Sequence, residues 1–274
     1  MDISVTCSED PAWVLSIARE FLTSQPVLHN MIHSLLHARI AYREPGRFWV
    51  GARGDKIVAV VVQSPLNFAA NLTPMDPNVA AAIVDAIADA GITLPGVSGE
   101  AATAASFAGQ WTERCKSAAI PFQGQRIYEF LEWGNRAAFR GWLRKAISDD
   151  RSLMVSWIRT FHAEIGEHLA DPELLVDRWL PAGHLWLWDN GQAMSMAVSR
   201  EPVAGVVRVS GVYTPPELRR HGYATACVQE LSETIRESGY RCILYTDLGN
   251  PGSNSIYRRI GYRAIAEVLR YRFE

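Results

Sequence analysis

The pattern that most constrains this chain is a succession of elements written twice. In the first half, residues 3–7 alternate like a strand. A helix then starts at Asp10-Pro11, with the carboxylate at the cap and proline at the first helical position. Val14, Ile17, Ala18 and Phe21 recur at helical spacing, and a second helix over 27–40 carries Leu28, Ile32, Leu35, Leu36 and Ile40. Strands at 48–52 and 57–62 flank Arg53-Gly54-Asp55-Lys56, a hairpin signal. A third strand at 68–72, an alanine-rich helix at 78–90 ended by Gly91, a helix at 101–116 and a closing strand at 126–133 follow. The second half reads strand 142–147, helices 149–164 and 172–179, a hairpin of 184–188 and 193–199 around Asp189-Asn190-Gly191, and strand 206–213. Helix 224–238, strand 242–246, a helix near 253–260 and a last strand 264–273 complete it. Both halves share one order: strand, two helices, three strands, helix, strand, helix, strand. This predicts a tandem of domains at 1–136 and 137–274, with the seam near 134–140.

The length of 274 residues accommodates two ordinary domains. With 48% hydrophobic and 20% charged residues the chain can bury a core, and disorder is not expected. A net charge of −2 gives no overall attraction to nucleic acid or to an anionic membrane, and neither is expected as a partner. Arg219-Arg220 and Arg258-Arg259 are candidates for a local basic patch or for a solvated face. Cys7, Cys115, Cys227 and Cys242 are scattered without paired metal spacing, which reads as free thiols in a reducing compartment. No signal-peptide pattern and no apolar run of membrane-spanning length is visible, so a cytoplasmic location is expected.

The chemistry concentrates after strand 206–213. A proline stop, Pro215-Pro216, leads into Arg219-Arg220-His221-Gly222-Tyr223-Ala224-Thr225 and then into helix 224–238. A small-residue turn opening a helix leaves backbone N–H groups unpaired at the positive end of the helix dipole. Such a turn holds phosphate oxygens. Gly222 lets a ligand approach without a Cβ in the way, Tyr223 is expected to turn inward, and the Thr225 hydroxyl can add a bond to a phosphate oxygen.

A second cluster runs Asn250-Pro251-Gly252-Ser253-Asn254-Ser255-Ile256-Tyr257 and ends at Gly261-Tyr262. Ser253 reads as a helix N-cap and Gly261 as a C-terminal glycine. Asn254 and Tyr257 then share one helix side. A phenol beside a thioester can protonate a departing thiolate, although taken alone this cluster favours a core tyrosine with one satisfied hydrogen bond.

Taken together, Val212-Tyr213-Thr214, the turn 219–225, Asn250 and Tyr257-x-x-x-Gly261-Tyr262 resemble the GCN5-related N-acetyltransferase (GNAT) family. The match covers about residues 205–265, and 142–204 agree in element order only. The resemblance implies an α/β (α+β) fold of two GNAT-like domains, each a mixed, mostly antiparallel sheet flanked by helices. It implies acetyl-CoA as co-substrate, an amine acceptor on a small molecule or protein, direct acyl transfer and no metal. Val212, Tyr213 and Thr214 would offer backbone groups to the pantetheine arm. Arg219, Arg220, His221, Gly222, Tyr223, Ala224 and Thr225 would surround the pyrophosphate. Asn250 and Ser253 would line the cofactor, and Tyr257 would be the general acid. Strand 206–213 carries no carboxylate, unlike many relatives, which leaves Glu164, Glu201, Asp247 or a water wire as the base. That departure also keeps open a non-catalytic acyl-CoA-binding or sensing module, and a scaffold whose first half binds a partner protein is a third reading.

In the first half the corresponding stretch is Asn71-Leu72-Thr73-Pro74-Met75-Asp76-Pro77-Asn78, with no glycine and two prolines that remove donors. A degenerate, structural GNAT-like domain follows, in a monomer with an internal pseudo-dimer or in a homodimer. His29, His33 and His37 lie on one helix face. Two of them could bind zinc with a third ligand, but a polar or interfacial face is the plainer reading. Trp157, Trp179, Trp186 and Trp188 fall where the resemblance puts the acceptor site, and core packing accounts for most of them.

Overall fold

The computed structural model describes residues 2–132, 139–166, 169 and 171–274. Most of the expected seam at 134–140, and Trp133, lie outside the described residues. In chain order the elements are β1 (Ile3–Ser8), α1 (Pro11–Ile17), α2 (Arg19–Ser24), α3 (Asn30–Tyr42), β2 (Arg47–Arg53), β3 (Lys56–Gln63), β4 (Ala70–Leu72), α4 (Pro77–Asp89), β5 (Gly96–Glu100), α5 (Ala101–Cys115) and β6 (Ala119–Phe130). The second half runs β7 (Trp142–Lys145), α6 (Arg151–Glu164), α7 (Pro172–Trp179), β8 (Leu185–Asp189), β9 (Ala193–Ser199), β10 (Val206–Tyr213), α8 (Tyr223–Glu237), β11 (Arg241–Asp247), α9 (Pro251–Arg259) and β12 (Tyr262–Phe273). The fold class is the expected mixed α/β one, with mostly antiparallel sheets flanked by helices.

Two compact units emerge. The first comprises Met1–Ile127, Asp247–Gly249 and Ile265–Glu274, and the second Tyr128–Thr246 and Asn250–Ala264. The last ten residues of the chain are therefore part of the first unit. There the strands run β1-β2-β3-β4-β5, followed by the C-terminal stretch of β12 and the N-terminal stretch of β6. Val268 pairs with Glu100 and Arg272 with Gly96, antiparallel, and Ala118 and Glu274 exchange backbone hydrogen bonds of 2.8 and 3.0 Å. Helices cover both faces of this sheet. Val14, Leu22, Ile32 and Leu36 pack on Phe48, Val50, Val60 and Val62. On the other face Val79, Ile83, Phe107 and Trp111 pack on Trp49, Ala59, Val61 and Val97. Each fully buried side chain of this size removes enough apolar surface for roughly 1.5–3 kcal/mol.

The second unit orders its strands β6-β11-β10-β9-β8-β7, with the start of β12 beside the end of β6. The pairs β7–β8, β8–β9 and β9–β10 are antiparallel, and β10–β11 is parallel. The period-2 alternation of β8 sends Leu185 and Leu187 to the face covered by Met154, Trp157 and Trp179 of α6 and α7. Trp186 and Trp188 go to the opposite face, covered by Ala226, Cys227 and Leu231 of α8. The four tryptophans thus do not form one wall: Trp157 and Trp179 are core on one side of the sheet, Trp186 and Trp188 on the other.

The histidine helix also departs from expectation. His29 and His33 are buried, not on a polar face. The His29 Nδ1 sits 3.1 and 3.3 Å from the Phe21 and Leu22 carbonyls, and His33 stacks on His37 with centroids 5.1 Å apart. No group of three metal-ligating side chains occurs among the described residues, and no described helix is long and apolar enough to cross a membrane.

Candidate active site

The site is built around the parallel strand pair β10–β11 of the second unit. Val206–Val209 of β10 pair with Arg241–Leu244 of β11, and there the registered pairing stops, although β10 runs on to Tyr213. On its other side β10 is irregular against β9 between Ser210 and Tyr213. Gly211 lies at φ 56° in this stretch, with a would-be Cβ only 2.9 Å from Val198 Cγ2. A glycine in the left-handed region of a strand is the mark of a bulge that bends the strand and re-aims its edge. The result is a strand end that stays paired with β9 at Tyr213 but has no registered partner on its β11 side.

This end is fixed from behind. Ser195 Oγ donates to the Tyr213 carbonyl (2.9 Å), and Thr214 Oγ1 donates to Ser195 Oγ (2.9 Å). Tyr213 is buried against Trp157, with ring centroids 5.9 Å apart. Val212 points to the opposite face, packing on the same core as Tyr223 and Tyr257. Residues far apart in sequence are thereby gathered on one cluster.

The turn that follows has two residues of left-handed backbone, Arg220 at φ 66° and Gly222 at φ 85°. Gly222 is the N-cap residue of α8, and no side chain caps that helix. The N–H groups of its first turn, Tyr223, Ala224 and Thr225, are left for an external acceptor. A Cβ on Gly222 would lie 2.5 Å from Phe139 Cε1, so glycine is required twice over, by conformation and by space. His221 stacks on Tyr223 at 5.8 Å, and Tyr223 turns inward as expected. Thr225 is buried. Arg219 is occupied within the protein: its Nε donates to the Thr214 carbonyl (2.9 Å) and its Nη2 to both Glu164 oxygens (2.7 and 2.8 Å). It ties the turn to the end of β10 and to the last residue of α6.

Helix α9 is capped by Asn250, not by Ser253. The Asn250 Oδ1 accepts the Ser253 N–H at 3.0 Å, and Pro251 takes the first helical position. Gly261, at φ 106°, follows the C-cap residue Ile260. The buried Asn254 donates from Nδ2 to the Asn250 carbonyl and accepts the Tyr128 hydroxyl at 3.0 Å. That leaves the half-buried Tyr257, whose ring lies 6.3 Å from Tyr128 and 5.8 Å from Tyr262. Its hydroxyl makes no hydrogen bond among the described residues. Burial, with Cys227 alongside, pushes its phenol up to about 12. A neutral phenol at physiological pH is a proton donor, the form a general acid needs.

Of the candidate bases, Glu164 is engaged by Arg219. Glu201 is mostly exposed and faces His184 Nε2 at 3.3 Å. Asp247 belongs to the first compact unit and accepts the Gly249 N–H of its own turn. Three features of the site went unread in the sequence: the Gly211 bulge, the Ser195 prop and the Glu164–Arg219 strut. Only the first left a trace there, as a glycine interrupting a β-branched run.

Residues 192–271 match the family model for FR47-like protein. No curated protein matches the chain. Its architecture is similar to an acetyltransferase of the GNAT family from Colwellia psychrerythraea, at 12% identity and a TM-score of 0.62 over 100% of both chains. A GCN5-related N-acetyltransferase from Sphaerobacter thermophilus aligns at 16% identity and a TM-score of 0.62, covering 98% of this chain and 95% of that one. A tandem GNAT protein from the clavulanic acid biosynthesis pathway aligns at 8% identity and a TM-score of 0.54, covering 98% of both. The fold of this chain is that of the GNAT acetyltransferases, tandem examples included, and residues 192–271 are similar to the FR47-like family.

Proposed function

We propose that the chain is an acetyl-CoA-dependent N-acetyltransferase acting on a primary amine of a small molecule or protein, with its active site in the second unit. The observation that carries this reading is the uncapped start of α8 behind a left-handed Arg220–Gly222 turn, next to the end of β10 that has no registered partner on its β11 side. The donors suit a pyrophosphate, and the free strand edge suits the amide-bearing arm of coenzyme A. Asn250 and Ser253, at the start of α9, complete the cofactor side.

The bound thioester supplies an activated acetyl group. The chain's residues hold and orient it, and in this reading a backbone N–H at the β10 bulge polarises the carbonyl oxygen. Tyr257 retains its proton at neutral pH and is the general acid for a thiolate leaving group. Deprotonation of the incoming amine falls to water and backbone carbonyls, since β10 has no carboxylate and Glu164 is bound to Arg219.

The experiment is acetyl-CoA titration followed by a panel of amines monitored for free coenzyme A. Binding with amine-dependent thiol release is expected. In Tyr257→Phe, turnover should fall about 100-fold with the acetyl-CoA Kd within about threefold of wild type. Unchanged turnover removes Tyr257 from the role of acid. Tight binding with no release for any amine replaces the enzyme with an acyl-CoA sensor, the reading that the missing carboxylate favours.

A further inference from the structure

Helix α9 carries the proposed acid, yet little apolar packing sets its place. It is nine residues long, and its buried residue is the polar Asn254. Ile256 and Tyr257 are half-buried, and Ser255, Arg258 and Arg259 are exposed. A helix this short has no stability of its own in water. Its rotation about its own axis is therefore set largely by what holds Asn254.

The hold comes from β6. Tyr128 is fully buried among the apolar side chains on the α8 face of the sheet, where its ring alone would satisfy the packing. Its hydroxyl does more. It donates to Asn254 Oδ1 (3.0 Å) and accepts from Arg258 Nε (3.2 Å). Asn254 and Arg258 are one helical turn apart on the same side of α9, and Tyr257 lies between them in sequence. Asn254 passes the constraint on, because its Nδ2 donates to the Asn250 carbonyl at 2.8 Å. One buried oxygen thus grips α9 at two points and reaches its N-cap through a third. The Tyr128 ring also lies beside the acid, with centroids 6.3 Å apart, and Tyr262 stands 5.8 Å from it. A buried polar network is unfavourable when half-made and fixes a single arrangement when complete. A reacting group displaced by about 1 Å forfeits on the order of 100-fold in rate.

We propose that Tyr128 is a positioning residue for Tyr257: its hydroxyl sets the rotation of α9 and with it the aim of the proton donor. The inference rests on the acetyltransferase reading with Tyr257 as its acid.

The test is a double-mutant cycle on the full chain, with an amine that the wild type acetylates. Tyr128→Phe keeps the ring and removes the grip. Its kcat should fall about tenfold, with the acetyl-CoA Kd and the amine KM within about threefold of wild type. In the Tyr257→Phe background the same substitution should lower kcat by less than about twofold, since no acid is left to place. Losses that multiply in the double variant, or an unchanged kcat in Tyr128→Phe, overturn the proposal and leave the acetyltransferase standing. A wild type without turnover, or Tyr257→Phe at wild-type turnover, removes the underlying reading and the proposal with it. Should Tyr128→Phe fail to fold, Arg258→Met at an exposed position removes one of the two grips. Its kcat should fall about threefold, and that fall should vanish in the Tyr257→Phe background. A fall that persists there, or none at all, overturns the proposal.

Discussion

Helix α4 follows β4 in the first half of the chain and helix α8 follows β10 in the second, yet they begin in opposite ways. Asp76 caps α4 with its own carboxylate, Oδ1 accepting the Val79 N–H at 3.1 Å while Oδ2 meets Arg53 at 2.7 Å, and Pro77 removes one donor outright. Helix α8 starts on Gly222, with no side-chain cap. The strands before them differ in the same sense. Leu72 at the end of β4 packs against Gly99 of β5, its Cβ 3.0 Å from where a glycine Cβ would stand. The next residue, Thr73, is buried and bonded back to Val60. In contrast, β10 outruns its registered pairing with β11 by four residues. One repeat supplies its own anion and closes its strand pair; the other leaves both needs to a ligand. Element order alone therefore does not make a cofactor site, and we propose that only the second repeat is one.

The sharpest way to break this contrast is to give α8 the carboxylate of α4. Gly222→Asp places a negative charge where phosphate is to bind, a Cβ against Phe139 and a non-glycine residue at φ 85°. The acetyl-CoA Kd should rise at least about 1,000-fold, or about 4 kcal/mol. Calorimetric titration that finds less than about a tenfold loss would move the phosphate site off this turn.

A second contrast is electrostatic. Burial raises the Tyr257 phenol in the second unit, whereas in the first it drives the His33 imidazole down to about 4, with His37, Arg19 and His29 adding to the effect. Folded His33 resists the proton that the unfolded chain accepts near 6.5. Its stabilising effect is therefore complete above pH 6.5 and is lost as pH falls from there towards 4, up to about 3 kcal/mol. Urea unfolding at pH 7.5 and 4.5 should show that slope, and His33→Gln should flatten it. An equal slope in the variant would assign the acid sensitivity to other groups.

Much of this was legible from the chain. The β10–turn–α8 segment declared itself through a β-branched run, a proline stop and a glycine before an amphipathic helix. The capping role of Asn250 was missed in favour of Ser253, although Asn-Pro carries the same signal as Asp10-Pro11, an N-cap followed by proline at the first helical position. Strand β5, counted in the shared element order, could not be assigned to residues because Gly96 and Gly99 lower strand propensity. They are there for space: the Tyr271 carbonyl stands where a Gly96 Cβ would go, and Leu72 crowds Gly99. The start of β6 was missed for a similar reason, since Pro121 and Gly124 interrupt it and Gly124 lies against Leu248. The Glu164–Arg219 strut joins residues 55 apart in sequence, and no local pattern announces such a pair. The burial of His29 and His33 was equally silent, because helical spacing shows which residues share a face and not whether another element covers it.

The mildest test acts on the first repeat. Asp76→Ala removes the cap of α4 and frees the Val79 N–H, leaving backbone and sheet intact. The loss should be about 1 kcal/mol of stability, read as a lower denaturation midpoint at unchanged m-value. The exposed Arg53 partner adds little to it. The acetyl-CoA Kd should not change, and the variant should gain no second binding equivalent in calorimetry. An uncapped α4 still has Pro77 in place of one donor and a strand pair that stays shut at Leu72 and Gly99. A second equivalent would mean that the Asp76 carboxylate alone had been keeping the first repeat empty, and that its closed strand pair is no barrier. Stoichiometry thus separates the two causes that the comparison of α4 and α8 leaves joined.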